Sequence, residues 1–179
     1  VPSDNPFVGR SGALPEIWSY GHRNMQAATI GPDGKLWTVE HGPQGGDEVN
    51  VAAAGKNYGW PVITYGENYG GGKIGDGITR KDGLEQPLKY WVPSIAPSGM
   101  AFVTGDRYGK DWKGNLLIGS LKFQYVARLV LEGEKVVRED KLLPDLKQRV
   151  RDVGEGPDGF IYLLTDDRDG QLLRLKPRG

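Results

Sequence analysis

The chain contains no cysteine, which excludes a disulfide framework and any thiolate chemistry. It also lacks net charge, with 23 Lys and Arg against 23 Asp and Glu. No global field therefore draws it to nucleic acid or to anionic lipid, and any anion site must be a local cluster. No apolar run reaches the ~18 residues of a transmembrane helix. The first residues, Val1-Pro2-Ser3-Asp4-Asn5-Pro6, show neither the basic nor the apolar region of a signal peptide. Histidine is scarce, with only His22 and His41 to serve as a base near neutral pH. Neither has an obvious Ser or Cys nucleophile beside it.

Glycine and proline are plentiful: 28 and 12 of 179 residues. Each costs about 1–3 kcal/mol inside a helix relative to Ala, so a helical bundle is disfavoured. With 37% hydrophobic and 26% charged residues, the chain can bury a core and stay soluble. Short strands joined by many turns fit this composition. Ile30–Val39 reads as strand, Gly-Pro-Asp-Gly turn, strand, and Glu155–Leu164 repeats that design. Between them, 99–103, 114–119, 126–131 and 135–138 are short apolar runs separated by Gly or charged turns. Four strands in about 40 residues is the size of a propeller blade, although a sandwich also uses short strands. Three blade-like units are expected, at about 14–90, 92–148 and 149–179, the third short of its last strand. The Gly-rich stretch 65–77 reads as a surface loop within the first. Only 142–148 could form a helical turn, and Pro144 counts against it.

Four clusters could carry chemistry. Gly21-His22-Arg23-Asn24-Met25-Gln26 places a cation and two amides just before a strand. Glu40-His41-Gly42-Pro43-Gln44-Gly45-Gly46-Asp47-Glu48 offers carboxylates, an amide and Gly carbonyls, a donor set that suits calcium. It does not have the spacing of an EF-hand, and a plain tight loop is the alternative. Ser120-Leu121-Lys122 ends an apolar strand, where a Lys is ordinarily just solvated. Arg149-Val150-Arg151-Asp152 puts two guanidinium groups on one strand face. That is unfavourable unless an anion or carboxylate lies between them.

Together these motifs resemble the soluble pyrroloquinoline quinone (PQQ)-dependent sugar dehydrogenases, the glucose and aldose sugar (glucose/sorbosone) dehydrogenase family. Gly-His-Arg-Asn at 21–24, Glu-His-Gly-Pro with Asp-Glu at 40–48, Asn-Tyr-Gly-Trp-Pro at 57–61, Ser-Leu-Lys at 120–122 and Arg-x-Arg-Asp at 149–152 follow the family's order. Each piece alone is weak, and the combination is specific. The short inserts place the chain nearer the aldose sugar dehydrogenase branch. The resemblance implies an all-β fold: a β-propeller of about three four-stranded blades, half of a six-bladed ring, with 1–179 as one partial propeller domain. It implies that Arg23 and Asn24 contact the quinone end of PQQ, with Arg23 polarising it. It implies calcium on the carbonyls of Gly42 and Pro43, and Ser94 as another cofactor contact. Lys122, Arg149 and Arg151 would neutralise the PQQ carboxylates, with Gln26, Asp47, Thr165 and Asp166 in support. Met25 stands where the family usually has Pro.

The implied activity is oxidation of the C1 hydroxyl of an aldose to a lactone, in the periplasm or outside the cell. The family's catalytic His lies well before the Gly-His-Arg-Asn motif, so the base is not found in this chain. The resemblance covers the family's C-terminal half. Three blades do not close a ring, so the expected partner is a second half-propeller: a missing N-terminal half, or a second copy in a homodimer. A non-catalytic propeller module and a sugar-lactone hydrolase are the alternatives. No nucleic acid partner and no membrane insertion are expected.

Overall fold

Eleven short β-strands in three antiparallel sheets make up the computed structural model, which describes residues 1–177. The first sheet pairs β1 (Met25–Ile30), β2 (Leu36–Glu40), β3 (Asp47–Val51) and β4 (Lys89–Trp91) in that order. The second pairs β5 (Pro97–Phe102), β6 (Leu116–Ser120), β7 (Val126–Glu132) and β8 (Lys135–Leu142). The third holds three strands, β9 (Val150–Glu155), β10 (Ile161–Thr165) and β11 (Leu172–Arg174). Among the described residues there is no α-helix. Each sheet is a meander whose sequence neighbours pair directly. β1 packs on β5 and β5 on β9, so the first strand of every sheet lies beside that of the next. This is how the blades of a β-propeller pack.

Side-chain alternation explains why the sheets stack. Trp37, Val39 and Val49 leave the first sheet on one side and meet Met100, Phe102, Leu116, Ile118 and Leu129 of the second. Leu117 and Val126 leave the second sheet on its other side and meet Val150, Val153, Ile161 and Leu163 of the third. β6 is therefore buried along its whole length, and its sequence is a continuous apolar run rather than an alternating one. Each fully buried Leu, Ile or Val contributes about 1.5–3 kcal/mol, so the middle sheet binds the other two together.

The two Gly-Pro-Asp-Gly turns are one structure used twice. Gly34 N donates to Gly31 O at 2.9 Å, and Gly159 N donates to Gly156 O at 2.8 Å. The final glycines have φ of 75° and 74°, a backbone that favours Gly. Asp33 Oδ1 accepts from Lys35 N and Trp37 Nε1, while Asp158 accepts from Phe160 N and Tyr162 Oη. Both turns therefore lock the first residues of the strand that follows.

Two expectations are corrected. Pro144–Leu146 does form a 3-10 turn, with Pro144 at its start. At that position the missing N–H has no helical partner to lose, so proline favours the turn. The 40–48 cluster is not one loop either. Glu40 ends β2, and Asp47 and Glu48 open β3, leaving 41–46 as the turn.

Candidate cofactor and metal site

Hydrogen bonds between sheets bring the clusters to one end of the fold. His41 Nε2 donates to Pro97 O at 2.7 Å, tying the β2–β3 turn to the start of β5. Ser98 Oγ donates to Val150 O at 2.6 Å, tying the start of β5 to the start of β9. Leu121 N and Lys122 N donate to Ala96 O and Ile95 O. Asp166 N donates to Arg149 O. The segments 21–24, 41–46, 92–96, 121–125, 143–149 and 166–171 thus share one end. Arg23, Asn24, Gly42, Pro43, Ser94, Lys122 and Arg149 lie within them, and Arg151 lies at the adjoining end of β9. The two Gly-Pro-Asp-Gly turns occupy the opposite end.

The backbone N–H of Arg23 donates to Glu40 Oε2 at 2.7 Å. Its Nη1 donates to the carbonyls of His41 and Gly42, at 3.1 and 2.8 Å. The guanidinium lies over Trp60, 5.4 Å from the ring centre. Gln26 Nε2 donates to Asn24 Oδ1 at 2.9 Å, which leaves the exposed Asn24 amide its NH2 group to offer. Beneath the turn, Asp47 is fully buried. Its Oδ1 accepts from Gly42 N at 3.1 Å. Its Oδ2 accepts from Ser94 Oγ, Ile95 N and Ala96 N at 2.7, 2.8 and 3.1 Å.

Both histidines are engaged. His22 stacks on Tyr58, with Nδ1 3.2 Å from Glu40 Oε1 and Nε2 2.9 Å from Ser19 Oγ. A serine therefore does lie beside His22, contrary to the linear reading, because the loop doubles back. The N–H that follows it, Tyr20 N, donates to Lys56 O, so it is not free to stabilise an oxyanion. Sequence reasoning also missed the polar layer behind the turn. Glu40 and Glu48 face each other across β2 and β3, and Asn50 Nδ2 donates to both. Burial pushes Glu48 up to about 7, the Asn50 bond pulls it down, and Glu40 and Asp47 add to the rise. The Asp-Glu-Val-Asn-Val alternation of β3 was the available signal.

On the third sheet, Arg149 Nε and Arg151 Nη2 donate to the same Asp166 oxygen, at 2.8 and 2.9 Å. The carboxylate that two like charges on one face require is therefore Asp166. The Arg149 bond, then the Arg151 bond, holds Asp166 below the usual carboxylate range. Both guanidinium groups stay about half exposed. Thr165 Oγ1 accepts from Gln171 N at 2.8 Å and closes the hairpin above them. Lys122 is exposed, with Nζ 5.3 Å from the Phe123 ring centre.

The stacked meanders define a β-propeller with cationic side chains and a carbonyl-rich turn at one end, and the family follows from comparison. The model of the family described as Glucose / Sorbosone dehydrogenase matches residues 1–174, and the chain belongs to that family. It is 48% identical to the aldose sugar dehydrogenase YliI of Escherichia coli (strain K12), over 99% of this chain and 48% of that protein. It is 30% identical to quinoprotein glucose dehydrogenase B of Acinetobacter calcoaceticus, over 93% of this chain and 45% of that one. The apo-form of the soluble aldose sugar dehydrogenase from Escherichia coli superposes with a TM-score of 0.92 at 49% identity, covering 99% of this chain and 51% of its own. The PQQ-bound aldose sugar dehydrogenase from Streptomyces coelicolor gives 0.69 at 26% identity, covering 98% and 49%. The chain spans about half the length of these relatives.

Proposed function

We propose that the chain is one partial propeller domain of a PQQ- and calcium-dependent oxidoreductase that oxidises the C1 hydroxyl of aldoses to lactones. One observation carries this reading: at a single end of the sheets, two half-exposed guanidinium groups share one carboxylate, and the same end carries a carbonyl-rich turn. The residues fit both groups. A Cβ at Gly42 would lie 2.0 Å from Gly45 O and 2.5 Å from Gly46 O, so only Gly fits there and the turn packs its carbonyl-bearing backbone closely near the buried Asp47. That donor set suits calcium. Arg149, Arg151 and Lys122 against Asp166 leave a surplus of cations, which suits a planar molecule with several carboxylates.

When bound, PQQ supplies a hydride acceptor. The carbonyls of Gly42 and Pro43 would hold calcium once Arg23 Nη1, which donates to Gly42 O, turns toward the quinone end, where it and Asn24 would present N–H donors and favour the charge that develops there. Ser94 offers an oxygen beside the turn. Lys122, Arg149 and Arg151 orient the carboxylate end. Removal of the C1 hydroxyl proton requires a base. The resemblance places that base ahead of the 21–24 motif, whereas His22, between Ser19 and Glu40, and His41, on Pro97 O, belong to the 21–24 and 40–48 motifs themselves. The base comes from the N-terminal half of the propeller that this chain does not span; a second copy would complete the ring without adding a base. A periplasmic or secreted location belongs to the same reading; no helix among the described residues is long and apolar enough to cross a membrane.

The base not found in this chain also favours a second reading, a non-catalytic propeller binding or assembly module without redox activity. A sugar-lactone hydrolase is disfavoured, because that chemistry needs side-chain carboxylates converging on its metal. No group of three His, Cys, Asp or Glu able to hold a metal occurs among the described residues. The purified chain, given PQQ and calcium, tests these readings by cofactor absorbance and by dye reduction with glucose. Binding without turnover supports a half-site that lacks its base, and turnover would show that the chain holds a base after all. A folded chain that binds no PQQ overturns the cofactor assignment and leaves the module. The solution mass decides the partner: twice 19.6 kDa indicates a ring of two copies.

A further inference from the structure

Asp47 joins two parts of the chain that the sequence keeps about 50 residues apart. It opens β3 opposite Trp91 of β4, where the chain leaves the first sheet for the second. One carboxylate oxygen faces the β2–β3 turn through Gly42 N, and the other faces the β4–β5 connection through Ser94, Ile95 and Ala96. Its four partners are neutral donors. A buried carboxylate without a cation is costly, and several charge-assisted hydrogen bonds are what make it tolerable.

The connection it holds is strained. Ala96 has φ of 50°, a left-handed backbone that a β-carbon disfavours by about 1–2 kcal/mol. Ala96 N donates to both Asp47 Oδ2 and Ser94 Oγ, which keeps it there. The same turn seats the segment that carries Lys122. Ile95 O accepts from Ser120 Oγ at 2.8 Å and from Lys122 N at 3.2 Å, and Ala96 O accepts from Leu121 N at 3.0 Å. Gly42, Ser94 and Lys122 therefore connect through a single side chain.

We propose that Asp47 is a positioning residue that locks the Gly42–Pro43 turn and the Ser94–Ala96 connection into one unit, so that the calcium carbonyls and the Ser94 hydroxyl are set together. This rests on the calcium and PQQ reading above and says how those contacts are coupled. It also explains why a carboxylate is needed. Asparagine has one acceptor oxygen, and its NH2 group would confront either Gly42 N–H or the N–H groups of 95–96.

Amide hydrogen exchange on the full chain, without calcium or PQQ, tests the lock. Asp47→Asn is expected to speed exchange about tenfold or more in both 41–46 and 92–97, the size of losing a hydrogen bond to a charged group, with the β6 amides changing only as far as the global stability falls. Ser94→Ala keeps the charge and three of the four donors, so it guards against a variant that fails to fold. It is expected to speed exchange at Gly42, which Ser94 does not touch, as well as at 95–96. The double variant is expected to add little to Asp47→Asn alone. Calcium titration by calorimetry supplies the second readout, with affinity expected to fall at least tenfold in Asp47→Asn. Exchange that changes in only one of the two segments, or Ser94→Ala that leaves Gly42 unmoved, overturns the proposal. A wild-type chain that binds no calcium removes the calcium reading and leaves the exchange result to decide the lock.

Discussion

Asp47 and Asp166 are both carboxylates at the same end of the fold, and they work in opposite ways. Asp47 has no exposed surface and is held by four neutral donors from two segments. Asp166 is about one-third exposed and is held by two guanidinium groups within one sheet. Burial makes the first a structural commitment, because losing its partners leaves an unsatisfied buried charge. Exposure makes the second exchangeable, because water and salt can replace its partners. The contrast suits the proposed site, in which the calcium turn is to be rigid and the anion platform open to a ligand.

The largest expected effect breaks the buried side. Asp47→Asn is expected to destabilise the fold by about 3 kcal/mol, the cost of disrupting a buried, hydrogen-bonded charge, as read from the urea midpoint. Its neighbour Glu48 sharpens the point through pH. Its folded value of about 7 lies above the ordinary 4.5, chiefly through burial. The folded chain therefore holds that proton more tightly than the unfolded chain. The stabilisation is fully present below 4.5 and is lost as pH rises through about 7. Between pH 4.5 and 7.5 the wild type is expected to lose about 2 kcal/mol more than Glu48→Gln, after allowance for partial exposure. Equal pH slopes in the two proteins would contradict this.

On the exposed side, Arg151→Ala is expected to weaken PQQ binding about tenfold, the size of one lost charge-assisted bond, with the urea midpoint nearly unchanged. The weakening should shrink in high salt. The smallest effect is that of Asp166→Asn, which is expected to leave the urea midpoint at pH 7 unmoved. A drop as large as that of Asp47→Asn would erase the distinction between the two carboxylates.

Local chemistry made much of the architecture legible. The Gly-Pro-Asp-Gly turns at 31–34 and 156–159 announce themselves because each residue has a fixed backbone duty. The apolar run of β6 marks a strand covered on both sides. Arg149 and Arg151 pointed to an anion by alternation alone, and the fold supplied Asp166 as the group between them. β3 was hidden because it opens with two charged residues, and their burial depends on the 52–88 segment and the 94–96 connection closing over them. The roles of His22 and Asp47 were hidden for a related reason. Their partners, Ser19 and Glu40 for one and Ser94 to Ala96 for the other, come together only when loops fold back on the sheets. Motif order suggested which residues serve the cofactor, and tertiary contacts show which of them share hydrogen bonds.

The central claim is that this end of the fold is a cradle for PQQ and calcium. Titrating the folded chain with PQQ at fixed calcium, followed by cofactor absorbance, tests it most directly. The account predicts saturable binding that weakens in Arg151→Ala and persists in Asp166→Asn. A folded chain whose addition leaves the PQQ spectrum unchanged at every concentration would contradict it.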